Sequence, residues 1–155
     1  MTEGKGMRCY FAAPLDSEEC RSLNDDCTKD LRRIGLHVYV PHEHGVGDVS
    51  LAQLKPEERE AAREGVFKEL YLGDLFGLQT ADFVVAISTK PDAHLSAGLL
   101  WELGYATAAN KPVYLCTRGH DKEYSLMVMN SVSKSFQNWS DLVSYLEKLN
   151  GGLLW

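Results

Sequence analysis

Residues 96–116 read Ser-Ala-Gly-Leu-Leu-Trp-Glu-Leu-Gly-Tyr-Ala-Thr-Ala-Ala-Asn-Lys-Pro-Val-Tyr-Leu-Cys, and the parsing of this stretch decides the fold. Small residues, Ser96, Ala97 and Gly98, open it. Leu99, Leu100, Leu103, Ala106 and Ala109 follow at three- and four-residue spacings, the period of one helix face. Asn110-Lys111-Pro112 ends the helix, since proline lacks an amide proton and disfavours helical geometry in the residue before it. Residues 113–116 are then a short apolar run, read as a buried strand. One residue does not fit. Glu102 stands among small and apolar neighbours within two turns of the helix start, where a carboxylate has to be solvated, paired or used.

Upstream of this stretch, residues 7–12 predict a first strand, followed by a turn at 13–17 in which Asp16 or Ser17 can cap a helix. That helix runs to about Ile34, with Cys20, Leu23, Cys27, Leu31 and Ile34 on one face and Gly35 as its terminating glycine. Residues 36–40 read as a second strand, and strand, helix, strand in that order implies a right-handed parallel unit. The connection 41–55 is long and lacks apolar period, a length that often carries function. A second helix starts near Pro56, with glutamates in its first turn, and reaches about Leu78. Gly65, Gly73 and Gly77 predict a break or bend in it. Residues 83–87 are a third strand, apolar on both faces.

Beyond Cys116, residues 125–130 read as a short helix or turn and 132–136 as a fifth strand. Residues 139–149 form a last amphipathic helix capped by Ser140 or Asp141, and the apolar tail 151–155 is suited to docking on a partner subunit. The alternation predicts one α/β domain over residues 1–155. It has three layers, flavodoxin-like or Rossmann-like, with a five-stranded parallel sheet and helices on both faces. Such sheets bind ligands outside the carboxyl ends of their strands, where the strand order switches. The loops after Ala12, Val40, Ile87 and Cys116 are therefore expected around one site.

The 155 residues carry a net charge of −6, which argues against a track of phosphate contacts on nucleic acid but leaves room for a nucleotide-sized pocket. The polar first seven residues hold no apolar signal region, and no apolar run approaches a membrane span, so a cytoplasmic location without membrane contact is expected. Cys9, Cys20, Cys27 and Cys116 have no Cys-x-x-Cys spacing and read as buried reduced thiols. His42-Glu43-His44 is a solvated loop instead of a metal site, its ligand types being adjacent and not on one helix face.

No Gly-x-Gly-x-x-Gly follows the first strand and no Gly-x-Ser-x-Gly occurs, which removes a dinucleotide cradle and a hydrolase nucleophile elbow. Carboxylates near the strand ends remain. Asp82 precedes the third strand at its amino end and reads as a turn residue, while Asp74 lies on the second helix. Glu102 follows the loop after the third strand, at the ligand end, where the helix N-terminus favours its ionised form. An ionised, positioned carboxylate can attack an electron-poor carbon and form an ester. The plain alternative is a surface glutamate on an amphipathic helix, against which Leu99, Leu100, Trp101 and Leu103 leave little polar face.

Tyr10-Phe11-Ala12-Ala13-Pro14-Leu15, Asp74-Leu75, Ala81-Asp82-Phe83-Val84-Val85-Ala86 and above all Trp101-Glu102-Leu103-Gly104-Tyr105-Ala106 with Lys111-Pro112-Val113 resemble the nucleoside 2-deoxyribosyltransferase family. The resemblance implies a retaining two-step transfer of a 2-deoxyribosyl group from a deoxynucleoside, or deoxynucleotide, to another free nucleobase, with no cofactor and no metal. In it Glu102 matches the nucleophile, Tyr10 the tyrosine that orients it, and Asp74 the aspartate that binds or protonates the leaving base. Phe11, Ala12, Ser96 and Gly98 fall at substrate-binding positions. Asn130 matches a residue that reaches the sugar from a neighbouring subunit, which implies a homo-oligomer with sites near its interfaces.

Ser96 departs from the pattern, standing where many members carry an aspartate six residues before the nucleophile. It is either a helix N-cap or, with Ala97 and Gly98, a phosphate contact. In the second case the chain resembles the related 2′-deoxynucleoside 5′-monophosphate N-glycosidases, which hydrolyse the bond. A non-catalytic nucleotide-binding module is the further alternative.

Overall fold

The computed structural model describes residues 6–14, 18–43, 55–88 and 97–152. Five strands form one parallel sheet: β1 (Arg8–Ala12), β2 (His37–Tyr39), β3 (Phe83–Ile87), β4 (Val113–Cys116) and β5 (Lys134–Phe136). Their order is β2-β1-β3-β4-β5, the doubly wound arrangement whose switch point lies between β1 and β3. The helices are α1 (Glu18–Arg33), α2 (Pro56–Thr80), α3 (Ala97–Ala108), α4 (Leu126–Ser131) and α5 (Trp139–Asn150). The fold is the expected α/β one, with β2 and β5 shorter than the apolar runs implied.

Strand alternation assigns the two faces. Cys9, Phe11, Phe83, Val85, Ile87 and Cys116 point one way, onto Cys27 and Leu31 of α1 and Leu142 and Leu146 of α5. Tyr10, Ala12, Val84, Ala86 and Leu115 point the other way, onto Leu78 of α2 and Leu99, Leu103 and Ala106 of α3. Every residue of β3 and β4 is buried, as parallel strands covered on both faces must be. Tyr10 and Phe11 are thus separated by the sheet itself, which decides what each can touch.

Two local expectations are corrected. α2 runs unbroken for 25 residues, so its glycines do not break it. Gly77 serves close approach instead: a Cβ there would stand 2.5 Å from the ring of Tyr39. Gly65 faces nothing within 4 Å. Gly65→Ala is therefore expected to stabilise the protein by about 0.5–1 kcal/mol, the usual helix-interior difference, whereas Gly77→Ala destabilises it. Thermal unfolding of the two variants checks the opposite signs. The second correction concerns α5. Its N-cap is Asn138, whose side-chain oxygen accepts from the backbone amide of Asp141 at 3.0 Å, and not Ser140 or Asp141.

Other expectations hold. Gly35 sits at φ +89° after α1, a conformation costly for other residues. The four cysteines are free and buried, with burial pushing the thiols of Cys9 and Cys27 up to about 12. The capping roles of Asp16 and Ser17, residues 44–54 of the long connection and the last three residues of the apolar tail lie outside the described residues. No helix among the described residues is long and apolar enough to cross a membrane.

Candidate active site

Tyr10 is the third residue of β1 and is fully buried on the α2/α3 face. A phenol in such a place needs a partner for its hydroxyl. It has one: Tyr10 Oη donates to Glu102 Oε1 at 2.7 Å, across 92 positions of chain. Glu102 occupies the second turn of α3. Asp74 reaches the same place from α2. Together with Gly98, Tyr71 and Trp101, the two acids line a cleft of about 340 Å³.

The electrostatics differ from the sequence expectation in one respect. The carboxyl of Glu102 is raised from 4.5 to about 7, chiefly by burial. The Tyr10 bond opposes that rise, and the negative charge of Asp74 adds to it. Glu102 is the sixth residue from Ala97, and the influence of a helix terminus fades after the first turn, so desolvation wins over the dipole. Tyr10 is itself held far on the protonated side by burial and by Glu102, and remains a hydrogen-bond donor.

This rise has a consequence for stability. Between pH 4.5 and 7 the folded chain holds a proton on Glu102 that the unfolded chain has released. Stability attributable to this group therefore falls as pH increases through that window, by up to about 3 kcal/mol. Glu102→Gln removes the dependence. The variant is expected to gain on the parent protein at pH 8 relative to pH 4, measurable as the difference between their denaturation midpoints at the two pH values.

The remaining sequence candidates are placed as follows. Gly98 lines the cleft at the start of α3. Ala12 ends β1 opposite Ala86 of β3, at the switch point, with its methyl on the Glu102 side of the sheet. Phe11 points to the opposite face, where its ring meets Trp139 edge-on at 6.3 Å. Asn130 is exposed on α4, its amide donating to the Leu126 carbonyl at 2.7 Å. Ser96 lies outside the described residues.

Asp82 accepts from the Arg8 amide at 2.7 Å at the amino end of the sheet, as its turn reading implied. Glu43 binds Arg32 through both carboxylate oxygens, at 3.0 and 2.6 Å, and is engaged structurally. Among the described residues no three His, Cys, Asp or Glu side chains gather as a metal site. Lys111 donates to the carbonyls of Gln79 and Ala81, tying the end of α2 to the α3–β4 turn.

Sequence reasoning missed three contributors. Tyr71 and Trp101 form an aromatic wall of the cleft, their rings 5.7 Å apart, with Tyr105 stacked on Trp101. Their signal was position: Tyr71 stands one turn before Asp74 and Trp101 adjoins Glu102. Tyr39 lies beside Tyr10 in the β1–β2 ladder, a neighbour that only the strand register reveals. A larger opening of about 450 Å³, lined by Arg8, Arg32, His37 and Thr80 among others, runs along the β2 edge and contains no carboxyl pair. The two acids, Asp74 and Glu102, line the smaller cleft.

A doubly wound sheet with two acids from separate helices meeting beside its switch point defines a class of α/β proteins built to act on a small polar ligand. The comparisons narrow the class. The family model for nucleoside 2-deoxyribosyltransferase matches residues 9–138, and the chain belongs to that family. The fold is similar to that of the 2-deoxyribosyltransferase from the psychrotolerant bacterium Bacillus psychrosaccharolyticus. There the TM-score is 0.68 at 28% identity, covering 89% of this chain and 91% of that one. It is also similar to a conserved protein from Enterococcus faecalis V583, with TM-score 0.72 at 20% identity, covering 93% and 99% of the two chains; this match speaks to fold alone. None of the curated proteins matches the chain in sequence.

Proposed function

We propose that this protein cleaves the N-glycosidic bond of 2′-deoxynucleosides and transfers the 2-deoxyribosyl group to a second nucleobase through an ester on Glu102. The single observation that carries the reading is the 2.7 Å bond from buried Tyr10 to Glu102, in a cleft shared with Asp74. Tyr10 occupies one carboxyl oxygen and leaves the other to attack. The two acids share one proton; in the arrangement that leaves it on Asp74, the ionised Glu102 oxygen bonds C1′ as the C1′–N bond breaks, and that proton passes from Asp74 to the departing base. An incoming base then attacks C1′, gives its proton to Asp74 and releases Glu102 as carboxylate. Two displacements on opposite faces retain the configuration. The missing 2′-hydroxyl lowers the cost of the cationic transition state. The aromatic wall of Tyr71 and Trp101 offers a flat surface to a base.

Incubation with one deoxynucleoside and a different free base, followed by chromatography, tests this. A new nucleoside is the expected product. Free base and free sugar without a new nucleoside identify a hydrolase, and no bond cleavage at all leaves a binding module. The acceptance of a 5′-phosphate turns on Ser96 and is decided by running the assay in parallel with the 5′-monophosphate.

The active species is, in this reading, a homo-oligomer. Phe67, Tyr71, Leu72 and Phe76 of α2, Leu100 and Trp101 of α3, and Leu126 and Met127 of α4 are all exposed, an amount of large apolar surface that fits association. Asn130 lies on the same α4 as two of them, which fits its serving a neighbour's cleft. Light scattering is expected to show a dimer or larger assembly, and a fully active monomer would remove both the interface and the role of Asn130.

A further inference from the structure

We infer that Tyr39 is a positioning residue of the site, a buttress between Tyr10 and the α2 helix that keeps the Tyr10 phenol aimed at Glu102. That Tyr39 serves an active site rests on the function proposed above; the contacts do not. The β1–β2 register sets Tyr39 directly opposite Tyr10. Their rings are nearly parallel, at an interplanar angle of 12° and a centroid distance of 5.5 Å. α2 approaches the Tyr39 ring closely, and Tyr39 and Gly77 also line the opening along the β2 edge. A Cβ on Gly77 would stand 2.5–2.8 Å from three ring carbons, and one on Gly73 would stand 3.2 Å from the hydroxyl. The two glycines, one turn apart, both make room for this ring. The residue after Gly73 is Asp74, and its charge is felt by Tyr39, Tyr10 and Glu102 alike.

The physical consequence concerns the direction of one bond. Rotation of Tyr10 about its Cα–Cβ and Cβ–Cγ bonds swings the hydroxyl through an arc, and its partner Glu102 sits on a different element. Stacking on Tyr39 restricts the second rotation, so the donor arrives in line with Oε1. Without the stack the Tyr10–Glu102 bond weakens. That bond is what opposes the burial-driven rise of the Glu102 carboxyl, so its weakening moves the Glu102 titration to higher pH. The groups facing Glu102 among the described residues are Tyr10 from β1 and Asp74 and Tyr71 from α2. α4 brings no titratable side chain.

The test compares Tyr39→Leu and Tyr39→Phe with the parent chain. The Glu102 carboxyl is titrated by 13C NMR, its signal assigned by its loss in Glu102→Gln. In Tyr39→Leu the midpoint is expected to move up by about one pH unit, and kcat to fall about tenfold with KM within about twofold, the scale of one aromatic stack. Tyr39→Phe keeps the ring and is expected to restore both. Tyr39→Met replaces the leucine variant if the latter fails to unfold cooperatively. An unchanged midpoint in the aliphatic variant overturns the inference, and so does a phenylalanine variant as impaired as the aliphatic one. The titration needs no turnover, so a parent protein that cleaves nothing would defeat the proposed function while leaving this result readable.

Discussion

Glu102→Gln is expected to lower kcat for the proposed deoxyribosyl transfer by about 10⁴-fold or more, equivalent to about 5 kcal/mol of transition-state stabilisation at 1.36 kcal/mol per decade. The size follows from what the substitution leaves intact. The amide has the shape of the carboxyl, and its oxygen can still accept the Tyr10 hydroxyl that now lies 2.7 Å from Oε1. The cleft lining of Tyr71, Trp101 and Gly98 is untouched. What disappears is the negative charge facing the developing cation and the oxygen able to form an ester. KM is expected to stay within a few-fold while kcat collapses, and steady-state kinetics on the purified variant measures the split. A variant within tenfold of the parent contradicts the assignment of the nucleophile. Because the substitution also removes the carboxyl that burial raises to about 7, loss of activity is expected alongside a gain in stability at pH 8. A misfolding variant would show the reverse.

Asp74→Asn gives the second large effect, a loss of about 10²–10⁴-fold, the range of a general acid. Here the dependence on leaving group is the sharper observation. A base that departs readily without protonation needs little help, so the deficit of the asparagine variant shrinks as the departing base becomes more acidic. A deficit equal for good and poor leaving bases assigns Asp74 to binding only. The two acids share a cleft, and the charge of Asp74 raises the Glu102 carboxyl. Neutralising Asp74 should therefore move the titration of the Glu102 carboxyl itself, followed by 13C NMR, downward. The direction of the shift is independent of the role assigned to Asp74 in proton transfer.

The fold was legible because its signals are local. The apolar period from Leu99 to Ala109, the proline at 112 and the all-apolar β3 each need only neighbouring residues to be read, and strand-helix alternation then constrains the topology. Where a local rule met a tertiary contact, the contact won. Three glycines in α2 read as a break, yet Gly77 exists to let Tyr39 approach, and the helix continues. Ser140 and Asp141 have cap chemistry, but Asn138 has it too and stands at the geometrically required place.

The pairing of Tyr10 with Glu102 is a contact across the chain that no periodicity shows, and it came from family resemblance. The raised carboxyl of Glu102 is not legible in the sequence, for a physical reason. A position near a helix start is visible in sequence, whereas the depth of burial that outweighs it emerges only when β1, α2 and α3 pack together. Tyr39 escaped for the same reason, since its importance lies in the register of one parallel ladder and in space left by two glycines on another helix.

The central claim is that the Glu102 oxygen becomes covalently bonded to C1′ of the sugar. Intact and peptide mass spectrometry of the protein, quenched in acid after mixing with a 2′-deoxynucleoside and no acceptor base, addresses it most directly. A mass increase of one deoxyribosyl group on the peptide containing Glu102, absent in Glu102→Gln and discharged by added base, is the predicted result. Turnover proceeding with no adduct, or an adduct on any other peptide, would contradict it.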